Sequence, residues 1–98
     1  MKKFKSGKEF KASLSNDEVT AVFYMTYCPF CRAFCPQFEK KFEGKGNCAM
    51  VAIDEDSDPL WDEFDIKAVP TVLVFKKKKI AKRHDAIPGV GLKIDTID

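Results

Sequence analysis

Two spacings of apolar residues alternate along the chain. Phe10 and Leu14 lie one helical turn apart behind Ser6, a residue type that caps helix N-termini. Glu9 stands at the capping-box position, so a first amphipathic helix is predicted to end near Ser15 to Asp17. "VTAVFYM", Val19 to Met25, is a nearly unbroken apolar and β-branched run of strand length, the pattern of a strand buried on both faces. Pro29 suits the first position of a second helix, where its missing N–H has no helical partner, and that helix should reach Phe42 and stop at Gly44 and Gly46. Phe34, Phe38 and Phe42 recur every four residues on it as a core-facing stripe, while Pro36 should kink it and release a carbonyl. "CAMVAI", Cys48 to Ile53, reads as another buried strand, and Ser57 ahead of "DPLWDEF" as the cap of a short helix. "TVLVF" (Thr71 to Phe75) and "IAKRHD" (Ile80 to Asp85) are two further strands, joined by "KKKK" without the Asn or Gly that usually marks a hairpin. "IPGVGLKIDTID" supplies a turn and the start of a last helix, which should be unusually short or cut off.

The resulting order, αβαβαββα, contains two α/β crossovers, which imply parallel strands, and then a hairpin that adds an antiparallel edge. The expected fold is α/β: one domain over residues 1–98, with a central mixed sheet of about four strands, a βαβ unit followed by a β-hairpin, flanked by helices. Composition agrees with a single ordered core, since 45% of the 98 residues are hydrophobic and 33% charged. Seventeen basic residues against fifteen acidic ones leave only +2, with the signs mixed along most of the chain, which argues against nucleic acid as a partner. No window approaches the ~18 apolar residues of a membrane span, and "MKKFKSGKEFK" carries no apolar run behind its lysines. A cytoplasmic monomer with no membrane partner is expected. The lysine run reads as a solvated hairpin tip that discourages edge-to-edge pairing, with docking to an acidic partner as the other reading.

Three of the four cysteines fall within eight positions, in "CPFCRAFC". Without an export signal, and with an adequate core, redox or metal chemistry gains over structural cross-linking. Cys28 sits where a strand meets a helix, so its sulfur should lie beside unsatisfied N–H groups and the positive end of the helix dipole. Both favour the thiolate, the species that attacks a disulfide, and make Cys28 the candidate nucleophile. Cys31, nearly one turn further on, can reach the mixed disulfide formed at Cys28 and release the substrate, which makes it the resolving thiol.

Here the sequence resembles the thioredoxin superfamily, in particular its small thioredoxin- and glutaredoxin-like oxidoreductases. The matching features are "CPFC" at 28 to 31, Pro36 five residues later, "AIDEDSDP" at 52 to 59 and "AVPT" at 68 to 71, spread with the element order over roughly residues 4 to 95. The resemblance implies a thiol–disulfide oxidoreductase that exchanges its Cys28–Cys31 dithiol with protein disulfides, holds no bound cofactor, and draws electrons from a thioredoxin reductase or glutathione. It also implies that the Val69–Pro70 bond is cis and faces the cysteines, with the backbone of Val69 pairing with an extended substrate. "PGVG" resembles the glycine-bearing turn beside the substrate groove, which would give Gly89 and Gly91 a substrate-binding part; as ordinary turn residues they need none.

Between the cysteines, the family's C-G-P-C pattern removes an N–H at the second intervening position. Here Pro29 occupies the first position and Phe30 keeps its donor, so a better-stabilised thiolate and a more oxidising couple are expected. Two departures bear on proton transfer. Thioredoxins usually carry a buried acid six residues before the first cysteine and a lysine facing it from the next strand, where this chain has Val22 and Met50. Asp54 and Glu55 are weak substitutes. Tyr27 precedes Cys28, and Tyr24 replaces another customary Trp; both are expected to pack beside the site as an apolar shelf.

Cys35 and Cys48 read as buried small residues. Two other function classes stay open: a glutathione-dependent glutaredoxin-type enzyme, and a metal-binding or redox-silent module on the same fold. Against the first, "KRHDAIPGVGL" lacks the expected Gly-Gly and paired Asp. Against the second, one rigid helix with a mid-helix proline suits a closed tetrahedral site poorly. His84, beside Arg83 and Asp85, is expected at the surface.

Overall fold

The computed structural model describes residues 1–97. Its elements are β1 (Lys2–Phe4), α1 (Gly7–Ser13), β2 (Val19–Tyr24), α2 (Pro29–Lys41), β3 (Cys48–Ala52), α3 (Leu60–Glu63), β4 (Thr71–Lys76) and β5 (Lys79–Asp85), followed by a 3-10 turn at Ile94–Thr96. The sheet has five strands in the order β1-β3-β2-β4-β5. β3 runs parallel to both β1 and β2, and β4 is antiparallel to β2 and β5, so the sheet is mixed. No helix among the described residues is long and apolar enough to cross a membrane.

Alternation along the central strands builds two cores, one on each face. Ala21 and Phe23 of β2 join Ala49, Val51, Leu73 and Phe75 under Phe10 of α1 and Leu60 of α3. Val22, with Met50 and Val72, points the other way, against Cys31, Phe34, Cys35 and Phe38 of α2. The Phe stripe is buried as its spacing requires, with Phe38 in ring contact with Phe34 at 6.2 Å and with Phe42 at 4.7 Å. α2 is unbroken through Pro36, which leaves the Arg32 carbonyl without its usual helical donor.

Several elements differ from the sequence reading. The expected four strands are five, because "KKF" forms a short edge strand against β3. Its two exposed lysines give it no amphipathic signature, so only the partner strand defines it. α1 closes at Ser13, earlier than expected. Ser6 does cap it, accepting from the Glu9 N–H at 3.2 Å, but the Glu9 carboxylate reaches back to the N–H of Lys5 rather than that of Ser6. At α3 Pro59 and not Ser57 is the N-cap, and Asp58 just before it supplies a carboxylate that accepts from the Leu60 N–H at 3.1 Å. The same carboxylate takes the Gly7 N–H at 2.7 Å and so pins α1 to α3. The last element is a 3-10 turn and not the start of an α-helix.

Candidate functional site

β2 ends at Tyr24, and three residues later the chain turns into α2 with Cys28 as the N-cap. The Cys28 N–H donates to the Met25 carbonyl at 3.2 Å, and the Cys28 carbonyl accepts the first helical bond from Arg32 at 2.9 Å. With its backbone so engaged, the side chain makes no cap hydrogen bond, and the half-buried sulfur lies at the helix N-terminus with its thiol turned to the Val69 carbonyl. Pro29 fills the first helical position, as the sequence suggested.

Cys31 lies one turn in and is buried, 1% exposed, against Val22, Phe34 and Met50. Burial pushes its thiol well up, a backbone hydrogen bond from Met25 partly offsets this, and Cys28 and Cys35 push it up further. Cys35 is raised to about 11, first by burial and then by Cys28 and Glu39. Cys48 is also raised by burial. One thiol of the C-x-x-C pair is therefore accessible and the other held neutral in an apolar pocket. No group of three or more His, Cys, Asp or Glu among the described residues is arranged to hold a metal ion.

Opposite the helix N-terminus runs the loop before β4, in which the Val69–Pro70 bond is cis. The Val69 carbonyl lies 3.9 Å from the Cys28 Sγ. The turn at Ile87–Gly91 closes the third side through reciprocal backbone bonds, Ile87 N–H to Gly91 O at 3.0 Å and Gly91 N–H to Ile87 O at 2.9 Å. Gly91 is required there on two counts: its φ is +95°, and a Cβ would come within 2.9 Å of the Phe30 ring. The structure thus brings Cys28, Pro29, Phe30, Cys31, Val69, Pro70 and Gly91 together. Gly89 forms the same turn at φ +79° with open space around it, and Pro36 lies on α2 five residues beyond Cys31.

The two tyrosines separate. Tyr24 is half-buried and packs against the core that contains both site cysteines, whereas Tyr27 is 83% exposed and shelves nothing. Phe30, Ile87 and Val90 are exposed as well, so Cys28 is rimmed by apolar surface. Val22 and Met50 are both buried in the apolar core beside Cys31, so no acid faces it from the sheet. Asp54 has a different duty: its carboxylate accepts from the Thr26 N–H at 2.6 Å and the Thr26 hydroxyl at 2.7 Å, tying the loop that carries Cys28 to the end of β3. Sequence reasoning missed Thr26, since the pairing spans 28 positions and a lone threonine in a loop carries no local signal.

A solvent-facing thiol backed by a protonated one, on the end of a buried strand, is the arrangement of a thiol–disulfide oxidoreductase. Comparison with known proteins places it further. The thioredoxin family model matches residues 2–92. A thioredoxin of Mycoplasmoides gallisepticum is 33% identical over 81% of this chain and 81% of its own, and thioredoxin-1 of Saccharomyces cerevisiae 32% identical over 88% and 86%. Among solved structures, thioredoxin f2 of Chlamydomonas reinhardtii superposes with a TM-score of 0.78 at 19% identity, covering 99% of this chain and 90% of that one, a likeness of fold. The chain belongs to the thioredoxin family.

Proposed function

We propose that this oxidoreductase reduces protein disulfides through Cys28 as nucleophile and Cys31 as resolving thiol. The accessible Cys28 sulfur at the α2 N-terminus, with Cys31 buried one turn behind it, carries this reading. The Cys28 thiolate attacks one sulfur of the substrate disulfide, forming a Cys28–substrate disulfide and expelling the other sulfur as a thiolate that takes up a proton. Cys31 then loses its proton and attacks the Cys28 sulfur, which closes the Cys28–Cys31 disulfide and releases the second substrate thiol. Two electrons pass to the substrate, and a thioredoxin reductase or glutathione returns two electrons to restore the dithiol.

Because neither Val22 nor Met50 can take the Cys31 proton, water at the mouth of the site accepts it as Cys31 attacks the mixed disulfide. The N–H that Phe30 keeps in the first turn of α2 supports a couple more oxidising than C-G-P-C.

Insulin reduction with dithiothreitol tests the roles. Cys28→Ser and Cys31→Ser should each lower the rate to that of dithiothreitol alone, and reduced Cys31→Ser mixed with insulin after the dithiothreitol is removed should hold a mixed disulfide visible by mass spectrometry; unchanged rates in both variants would defeat the reading. Thioredoxin reductase with NADPH, set against glutathione with glutathione reductase, identifies the donor. Equilibration with glutathione buffers tests the potential, and a value at or below that of a C-G-P-C thioredoxin would refute the more oxidising couple.

A further inference from the structure

Charge is divided unevenly over this fold. The ten residues from Lys76 to Asp85 hold six basic side chains and one acid, +5 in all, which leaves −3 for the other 88 residues of a chain whose net charge is +2. β4 and β5 gather four of those lysines at one tip, while Arg83 pairs with Asp85 at the other end of β5. Lys76 and Lys79 face each other directly across the hairpin, an unfavourable like-charge pair. Lys77 and Lys78 form the two-residue turn between them with φ of 53° and 67°, a type I′ conformation that Asn-Gly adopts with far less strain than lysine. Lys76 meets Glu18 at 3.9 Å, but Lys77, Lys78 and Lys79 have no ion pair among the described residues. A guard against sheet-to-sheet pairing needs one or two charges along an edge, not four lysines held together against their own repulsion and against the turn geometry.

We propose that the β4–β5 tip and the outer edge of β5 form a docking site for an acidic, extended segment of a partner protein. β5 is the last strand of the sheet, and its seven residues leave one side of the backbone unpaired, as strand addition requires. A protein segment fits this surface better than a nucleic acid or a membrane does. Lys76–Asp85 has no aromatic ring on which a base could stack, and Ile80, at 37% exposure, is its one large exposed apolar side chain. The patch is narrow, confined to the tip of one hairpin and a single edge strand, and the rest of the chain carries a net −3. Thr71, next to Pro70, pairs with Asp85, so the lysine tip lies at the far end of β5, about 20 Å from the thiols. Docking there tethers a partner without covering Cys28.

The probe is a labelled peptide of alternating Glu and Thr, about ten residues long, matched to the strand. Titrated into the whole chain and followed by fluorescence anisotropy, it should bind, weaken as salt rises, and slow amide exchange along Lys79–Asp85. Lys77→Asn combined with Lys78→Gly should weaken binding at least tenfold while insulin reduction and melting temperature do not fall; the charge-matched pair Lys8→Gln and Lys45→Gln should leave binding within twofold. Equal loss in both double variants, retained binding in the first, or binding without added protection of β5 would overturn the proposal. So would tighter binding of single-stranded oligothymidine or phosphatidylserine vesicles in the same assay.

Discussion

Gly7 shows how much a single residue can depend on contacts far from it in sequence. Its N–H donates to the Asp58 carboxylate, and a Cβ at this position would lie 2.4 Å from both the Asp58 Oδ1 and the Leu60 Cγ. Leu60 is fully buried and Asp58 nearly so, which leaves neither free to retreat. Gly7→Ala should therefore destabilise the fold by about 1–3 kcal/mol through overpacking, although alanine is the better helix former. Urea unfolding measures it, and a loss below about 0.5 kcal/mol, the range of an ordinary surface change, would show that the site relaxes. In "SGKEF" this glycine looks like a routine first helical residue; its partner is 51 positions away and cannot be read locally. The cysteines were legible for the opposite reason. Cys28, Pro29 and Cys31 are set by one strand-to-helix junction, whereas the Asp54 clamp on Thr26 and the exposure of Tyr27 depend on how distant loops meet.

At the scale of elements, legibility followed burial. β2, β3, β4 and α2 are lined with apolar residues, and their limits fell close to those read from the spacing alone. The five-strand sheet went unread at β1, which has no buried residue and exists as a strand only through β3. Lysines replace the expected Asn or Gly at the hairpin turn and still take its positive-φ conformation, held by the register of the flanking strands. α2 carries the largest share of one core, and Phe38 stands in its middle, fully buried between Phe34 and Phe42. Phe38→Ala should cost about 3–5 kcal/mol, from lost transfer energy and the cavity left behind. Thermal melting monitored by circular dichroism checks this. Because the same helix places Cys28 at its N-terminus, a fall in insulin reduction should track the folded fraction and not appear in the folded protein under stabilising conditions.

Across the whole molecule, folding stability depends on keeping thiols protonated. Cys31, Cys35 and Cys48 are all buried in the α2-side core, and burial raises each above its ordinary value. Cys35 moves from 9.0 to about 11. Between those values the unfolded chain has lost the proton that the folded chain keeps, so the unfolded state binds fewer protons and stability falls as pH rises. The contribution is intact below about pH 9 and is lost as pH climbs through the folded value near 11. Reduced protein should accordingly show a urea midpoint that is level around neutrality and declines steeply on the alkaline side. Cys35→Ala separates this linkage from the general alkaline loss of lysine charge: it should lower stability at neutral pH by leaving a small cavity, yet flatten the decline above pH 9 relative to the parent chain. Parallel curves for the two proteins would mean that Cys35 does not contribute to the slope. Oxidation gives a second comparison, since the Cys28–Cys31 disulfide removes the Cys31 thiol from the titration, and the oxidised chain should lose less stability over the same alkaline range than the reduced one.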